Sequence, residues 1–103
     1  MRTRRRRRTR CVRIRRSTRK HKKYMADTGA CIVHFGDDRY SDYTKHKDPR
    51  RKSHYIKRHK KRERWGKSGL CTAGFWSRHL LWGEPTLAAS KRVMSTRFGI
   101  KIC

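Results

Sequence analysis

Apolar residues are sparse in this chain, and where they gather they do so with readable periods. Tyr24-Met25-Ala26 and Ala30 to Phe35 form two apolar runs on either side of Asp27-Thr28-Gly29. Short runs flanking a glycine-bearing turn predict a β-hairpin. Gly36-Asp37-Asp38 breaks its second strand, and Tyr40 to Thr44 reads as a polar, aromatic connection. Asp48-Pro49 is then a helix start, because aspartate caps free amides and proline tolerates the first helical position. This helix is expected to reach about Trp65, with Tyr55, Ile56 and His59 as a narrow core-facing stripe.

Gly66-Lys67-Ser68-Gly69 reads as an interhelical turn, after which Thr72 caps a second helix through Trp82 that ends at Gly83. Phe75, Trp76, His79 and Leu80 fall on one side of it, the densest apolar group in the chain. Pro85 opens a third short helix, Thr86 to about Met94, with Leu87, Ala88, Lys91 and Met94 along one side. Phe98 to Cys103 alternates like a strand that could complete a small sheet. The expected fold is α+β: one small domain over residues 24–103, a hairpin plus about three short helices, cored by Ile32, Phe35, Tyr55, Ile56, Phe75, Trp76, Leu80, Trp82 and Leu87.

Charge changes the picture. Lysine and arginine number 32 against 7 acidic residues, a formal charge of +25, and hydrophobic residues make up only 33% of the chain. Self-repulsion on this scale opposes compaction unless counter-charge comes from outside, so a partner is implied: nucleic acid, an anionic membrane surface, or acidic patches on other proteins. Residues 1–23 contain no acid and include the run Arg4 to Arg8. They read as an extended N-terminal arm, disordered alone and ordered on docking. Its candidate contacts are Arg4, Arg5, Arg6, Arg7, Arg8, Arg10, Arg13, Arg15 and Arg16. Val12 and Ile14 alternate with Arg13 and Arg15, which would suit a strand added to a partner's sheet. Fully extended, such an arm reaches roughly 75 Å at about 3.3 Å per residue, and deleting residues 2–20 is expected to leave the domain folded. A second basic surface is the first helix, with Arg50, Arg51, Lys57, Arg58, Lys60, Lys61 and Arg64, where Tyr55 and Trp65 could add stacking to sequence-tolerant nucleic-acid binding.

Chemistry is hard to place. Asp27, Asp37, Asp38, Asp42, Asp48, Glu63 and Glu84 each have a turn, cap or helix-surface explanation, and no carboxylate pair stands out. Cys71 or Ser77 with a histidine lies in no nucleophile signature, and Gly66 to Gly69 lacks phosphate-loop spacing. Cys11, Cys31, Cys71 and Cys103 have no CxxC spacing; Cys31, His34 and Cys71 form a scattered set more typical of structural thiols than of zinc, and disulfide pairing stays open. The chain is expected to be non-enzymatic, with no cofactor or metal, no transmembrane segment and no secretory signal.

The blocks FG, YSDYT, HKDP, YIKRH, TAGFWSR, LLW and PTL, within residues 35–90, resemble a family of small basic proteins of nucleocytoplasmic large DNA viruses. The resemblance implies a viral origin and carries no activity or catalytic residue with it. In that context two expectations follow. The leading one is a minor capsid component of the virion, its domain set among capsid proteins and its arm along them; the alternative is a protamine-like, sequence-nonspecific binder of the packaged genome. Repeating protein surfaces can fix the register of a docked arm, whereas a packaged genome usually gives none, so an arm found ordered by experiment would favour the first.

Overall fold

Ile14, set between two arginines, and Tyr24 and Ala26, on either side of Met25, build one sheet face, and Val33 and Phe35 extend it. The computed structural model describes residues 11–103. Strands β1 (Arg13–Arg16), β2 (Lys22–Asp27) and β3 (Ile32–Asp37) form an antiparallel sheet in the order β1-β2-β3. The register pairs Ile14 with Ala26, Ala26 with Val33 and Tyr24 with Phe35, so these side chains share the inner face. The hairpin joining β2 and β3 is the expected one: Thr28 N–H donates to the Cys31 carbonyl, and Asp27 accepts from Gly29 N–H.

The expected boundary at residue 24 is corrected here. Arg13–Arg16 do form a strand, but it joins the chain's own sheet. Val12 is buried, bridges Ile102 in parallel, and lies next to a Cys11–Cys103 disulfide. The domain therefore includes residues 11–23, and deleting residues 2–20 would remove an edge strand and a cross-link. Arg4, Arg5, Arg6, Arg7, Arg8 and Arg10 lie outside the described residues.

Helix α1 (Tyr43–His46) occupies what reads in sequence as a connection, because Asp42 caps it through Thr44 N–H. Helix α2 spans Pro49–His59, with Asp48 accepting from Arg50 and Arg51 N–H. It stops short of Trp65: Arg62 N–H bonds back to the His59 carbonyl, and Glu63 accepts from both His59 and Trp65. That turn folds Trp65 back onto Tyr55, their rings nearly parallel at 6.4 Å. A 3-10 turn at Lys67–Gly69 follows, and a Cβ at Gly69 would stand 2.2 Å from the Arg64 carbonyl oxygen, so only glycine fits.

Thr72 caps helix α3 (Ala73–Trp76), which widens into a π-turn over Ser77–Leu81, closed by Trp82 N–H to the Ser77 carbonyl. The wider turn lets the consecutive residues His79, Leu80 and Leu81 all be buried, which a regular helix exposes in rotation. Helix α4, capped by Thr86, runs Leu87–Phe98 and so continues four residues past Met94 to Gly99, whose φ of 64° makes it the left-handed C-cap. The tail after Gly99 is not a strand; its pairing is limited to the Val12–Ile102 bridge. On α4 the buried residues are Ser90 and Met94, and Ala88 is exposed.

The fold is a single α+β domain, as read from the sequence. Of the expected core, Phe35, Tyr55, Phe75, Trp76 and Leu80 are buried, Ile56, Trp82 and Leu87 are half-buried, and Ile32 is 59% exposed. Period-2 alternation explains the last: Val33 and Phe35 point inward, so Ile32 points out. Val12, Ala26, Val33, Leu81 and Met94 complete the core. A second disulfide joins Cys31 to Cys71, so neither is a free thiolate. Closing loops of 92 and 40 residues, the two cross-links each contribute on the order of 4 kcal/mol through loss of unfolded-chain entropy.

Trp76 is fully buried between Phe35 and Phe75, and its indole N–H donates to the Leu70 carbonyl at 2.8 Å. Trp76→Ala is expected to cost about 3–5 kcal/mol in urea unfolding; a loss near zero would make Trp76 a surface anchor. His79 is also buried, its Nε2 2.7 Å from the Trp65 carbonyl, and burial pulls its pKa down to about 4. The unfolded chain binds this proton near pH 6.5 and the native chain does not. Stability should thus fall as pH drops from about 6.5 to about 4, and His79→Phe should flatten the dependence of the urea midpoint on pH.

Candidate anion-binding cleft

Helical geometry divides the basic residues of α2 between two faces. Positions three, four and seven apart share a side, so Arg51, His54 and Arg58 form one row and Arg50, Lys57 and Lys60 another. The inward stripe between them is Lys52, Tyr55, Ile56 and His59. Tyr55 holds it in place: its ring stacks on Trp82 at 4.4 Å and 5° and on His59 at 4.4 Å. Burial raises the Tyr55 hydroxyl above its usual range. The stacking platform expected at Tyr55 is therefore occupied from within, and Tyr55 is unavailable to a nucleic-acid base.

The row Arg51, His54, Arg58 faces a cleft of about 620 Å³ between α2, the adjoining ends of β2 and β3, and α3. Lys22 and Lys23 come from β2, Tyr40 stands at the rim with 71% of its surface exposed, and Leu81, Trp82 and Ala73 give an apolar part of the wall. Three carboxylates also line it, and each is taken. Asp42 accepts from Lys23 Nζ and the Thr44 hydroxyl, with Lys23 and Asp42 side chains 9% and 2% exposed. Glu63 is held by His59 and Trp65, and Asp37 is gripped at two oxygens by Arg39. The Arg39 bonds hold the Asp37 carboxyl well below the usual carboxylate range.

By contrast, among the described residues the side chains of Lys22, Arg51, His54 and Arg58 make no hydrogen bond or ion pair. Arg13, Arg15 and Arg16 are exposed on β1, away from the cleft, and Arg50, Lys57, Lys60, Lys61 and Arg64 are exposed elsewhere on α2 and the turn after it. Behind α2, Lys52 donates to the Gly83 carbonyl over the Tyr43 ring, and Arg78 donates to the Trp82 carbonyl over Trp65. Burial lowers the pKa of both.

Of the basic site residues predicted from sequence, the cleft brings together Arg51 and Arg58 among the described residues, with the ring of Tyr55 in its wall. Lys22, His54 and Tyr40 are the ones that sequence reasoning misses. The Arg51-His54-Arg58 spacing is a signal that could have found His54, whereas Tyr40 sits in a loop whose position no pattern gives. No helix among the described residues is long and apolar enough to cross a membrane.

Residues 12–59 match the profile of a family of unknown function (DUF5754). The matched stretch runs from β1 to the end of α2, and so includes the basic wall of the cleft but not α3 or α4. No curated protein and no solved structure matches the chain.

The buried Lys23–Asp42 pair ties α1 to the sheet at the base of this cleft. Asp42→Asn leaves a buried ammonium without its counter-charge, and is expected to destabilise the domain by about 3–5 kcal/mol. Chemical denaturation against Asp38→Asn, whose partner His21 is half exposed, separates this loss from a general effect of removing an acid.

Proposed function

We propose that this protein is a non-catalytic structural component of a virion, a minor capsid protein that docks by charge among acidic surfaces of neighbouring capsid proteins. One observation carries the reading: among the described residues every acid but Glu84 is engaged inside the domain, and the outer row of α2, Arg50, Lys57 and Lys60, is exposed without an acidic partner. A domain closed by two disulfides and capped at each helix suits a rigid wedge, and the motif blocks between Phe35 and Ser90 supply the viral context. Arginine forks onto carboxylates with two parallel hydrogen bonds, which lysine cannot do.

The arm that does this is shorter than residues 1–23. Rooted at Cys11 by a disulfide and at β1 by its ladder, it has an upper reach of about 35 Å rather than 75 Å. Its neighbours must be immediate ones. Tagged wild-type chain, a form lacking residues 2–10 and a form with Arg4 to Arg8 changed to lysine can be compared for copies retained in assembled particles under rising salt. Retention is expected to fall from wild type to the lysine form to the deletion, while the domain's unfolding transition stays unchanged. Equal retention of all three sinks the docking role of the arm. Recovery with the genome after coat removal moves the assignment to the protamine-like reading.

A further inference from the structure

We propose that the cleft is a separate binding site for single-stranded nucleic acid, in which Arg51 and Arg58 take phosphates and Tyr40 covers a base. It goes beyond capsid docking and stands without it. Arg51 and Arg58 lie on one side of α2, two turns apart, so their backbone positions are separated by about 10 Å along the axis. That is too far for both to grip one phosphate without bending toward each other. It suits a strand running along the helix, with a charge at each end of the cleft and a flat apolar group between. Lys22 adds a cation from the facing strand, and His54 stands between the two arginines.

The rest of the cleft fits the same ligand. Its volume of about 620 Å³ falls within the usual size of a ligand site, roughly 300–1,000 Å³. Leu81, Trp82 and Ala73 give the wall an apolar part. Of the rings lining the cleft, Tyr55 and Trp82 are already stacked on each other, whereas Tyr40 is 71% exposed and makes no ring contact among the described residues. An unstacked tyrosine beside free guanidinium groups is the pairing by which single strands are held without sequence preference. Two of the three carboxylates in the cleft, Asp42 and Asp37, are paired with the cations Lys23 and Arg39, which limits their repulsion of a phosphate.

The test uses the full chain with its disulfides intact and a short fluorescein-labelled oligothymidylate, followed by anisotropy over a range of salt. Arg51→Gln with Arg58→Gln is compared with Arg50→Gln plus Lys57→Gln, which removes the same charge from the neighbouring face of the same helix, about 100° round its axis. The cleft pair should weaken binding roughly tenfold more than the outer pair. Tyr40→Ala should weaken it about 5- to 100-fold with the salt dependence unchanged, as loss of stacking and not of charge requires. All substituted side chains are exposed, so unaltered thermal unfolding is expected for each.

Equal losses from the two arginine/lysine pairs, or wild-type binding by Tyr40→Ala, overturn the site. Displacement of the oligonucleotide by an oligoglutamate at matched charge also overturns it, and assigns the cleft to an acidic protein segment. Thymidine monophosphate competing as well as the strand, per nucleotide, keeps the site but makes its ligand a free nucleotide.

Discussion

A shortage of negative charge governs this molecule. With 7 acids for 32 lysines and arginines, each carboxylate has to act where it relieves the most repulsion or fixes the most backbone. All but Glu84 accept a hydrogen bond or ion pair within the domain. Asp42 and Asp48 cap helices, Asp27 and Asp37 close turns, Asp38 faces His21, and Glu63 turns the chain after α2. Glu84 lies close enough to Lys52 and Arg78 to favour their charged forms. The fold uses its anions as structural fasteners, and most of the cations that remain on α2 face outward.

The same shortage explains how so basic a helix is attached at all. A strip of aliphatic residues on α2 would have to compete with the arginines and lysines around it. Instead the contact is one ring, Tyr55, inserted against Trp82 and His59 with Trp65 beyond. Stacked rings bury a large apolar area per residue and tolerate cations at their faces. Lys52 and Arg78 exploit this, each lying over a ring while its polar head reaches a carbonyl. Half-buried cations are thereby held without carboxylates.

Local chemistry was legible in the sequence and long-range pairing was not. Asp48-Pro49, Thr72 and the hairpin turn are caps and turns whose physics lies within a few residues, and each stands where it was expected; Thr86, read as the first helical residue after Pro85, is instead the N-cap. The strand at Arg13–Arg16 was concealed because its inward residues are few: Val12 and Ile14 among arginines look like an arm until β2 is placed beside them. The π-turn at Ser77–Leu81 and the end of α2 at His59 depend on contacts with distant residues, which no period records. In the candidate site, Arg51 and Arg58 could be named from charge alone. That they face a cleft, while Arg50 and Lys57 do not, follows from which side of α2 carries Tyr55.

The disulfides and the acid shortage then act together on what the chain can touch. Cys11–Cys103 binds the root of the arm to the end of the chain, and Cys31–Cys71 binds the hairpin turn to the start of α3. A domain with this net charge gains little from ion pairs of its own, so cross-links that restrict the unfolded state are an effective source of stability independent of salt. Neither cross-link uses a cation, and the cations of α2 stay exposed on two adjoining faces, the outer row and the cleft. Anions bound at one surface lower the field felt at the other only within a Debye length, about 8 Å at physiological salt. Arg51 and Arg58 stand about 10 Å apart along α2, just beyond that length, so an anion held at one end of the cleft takes little from the attraction at the other.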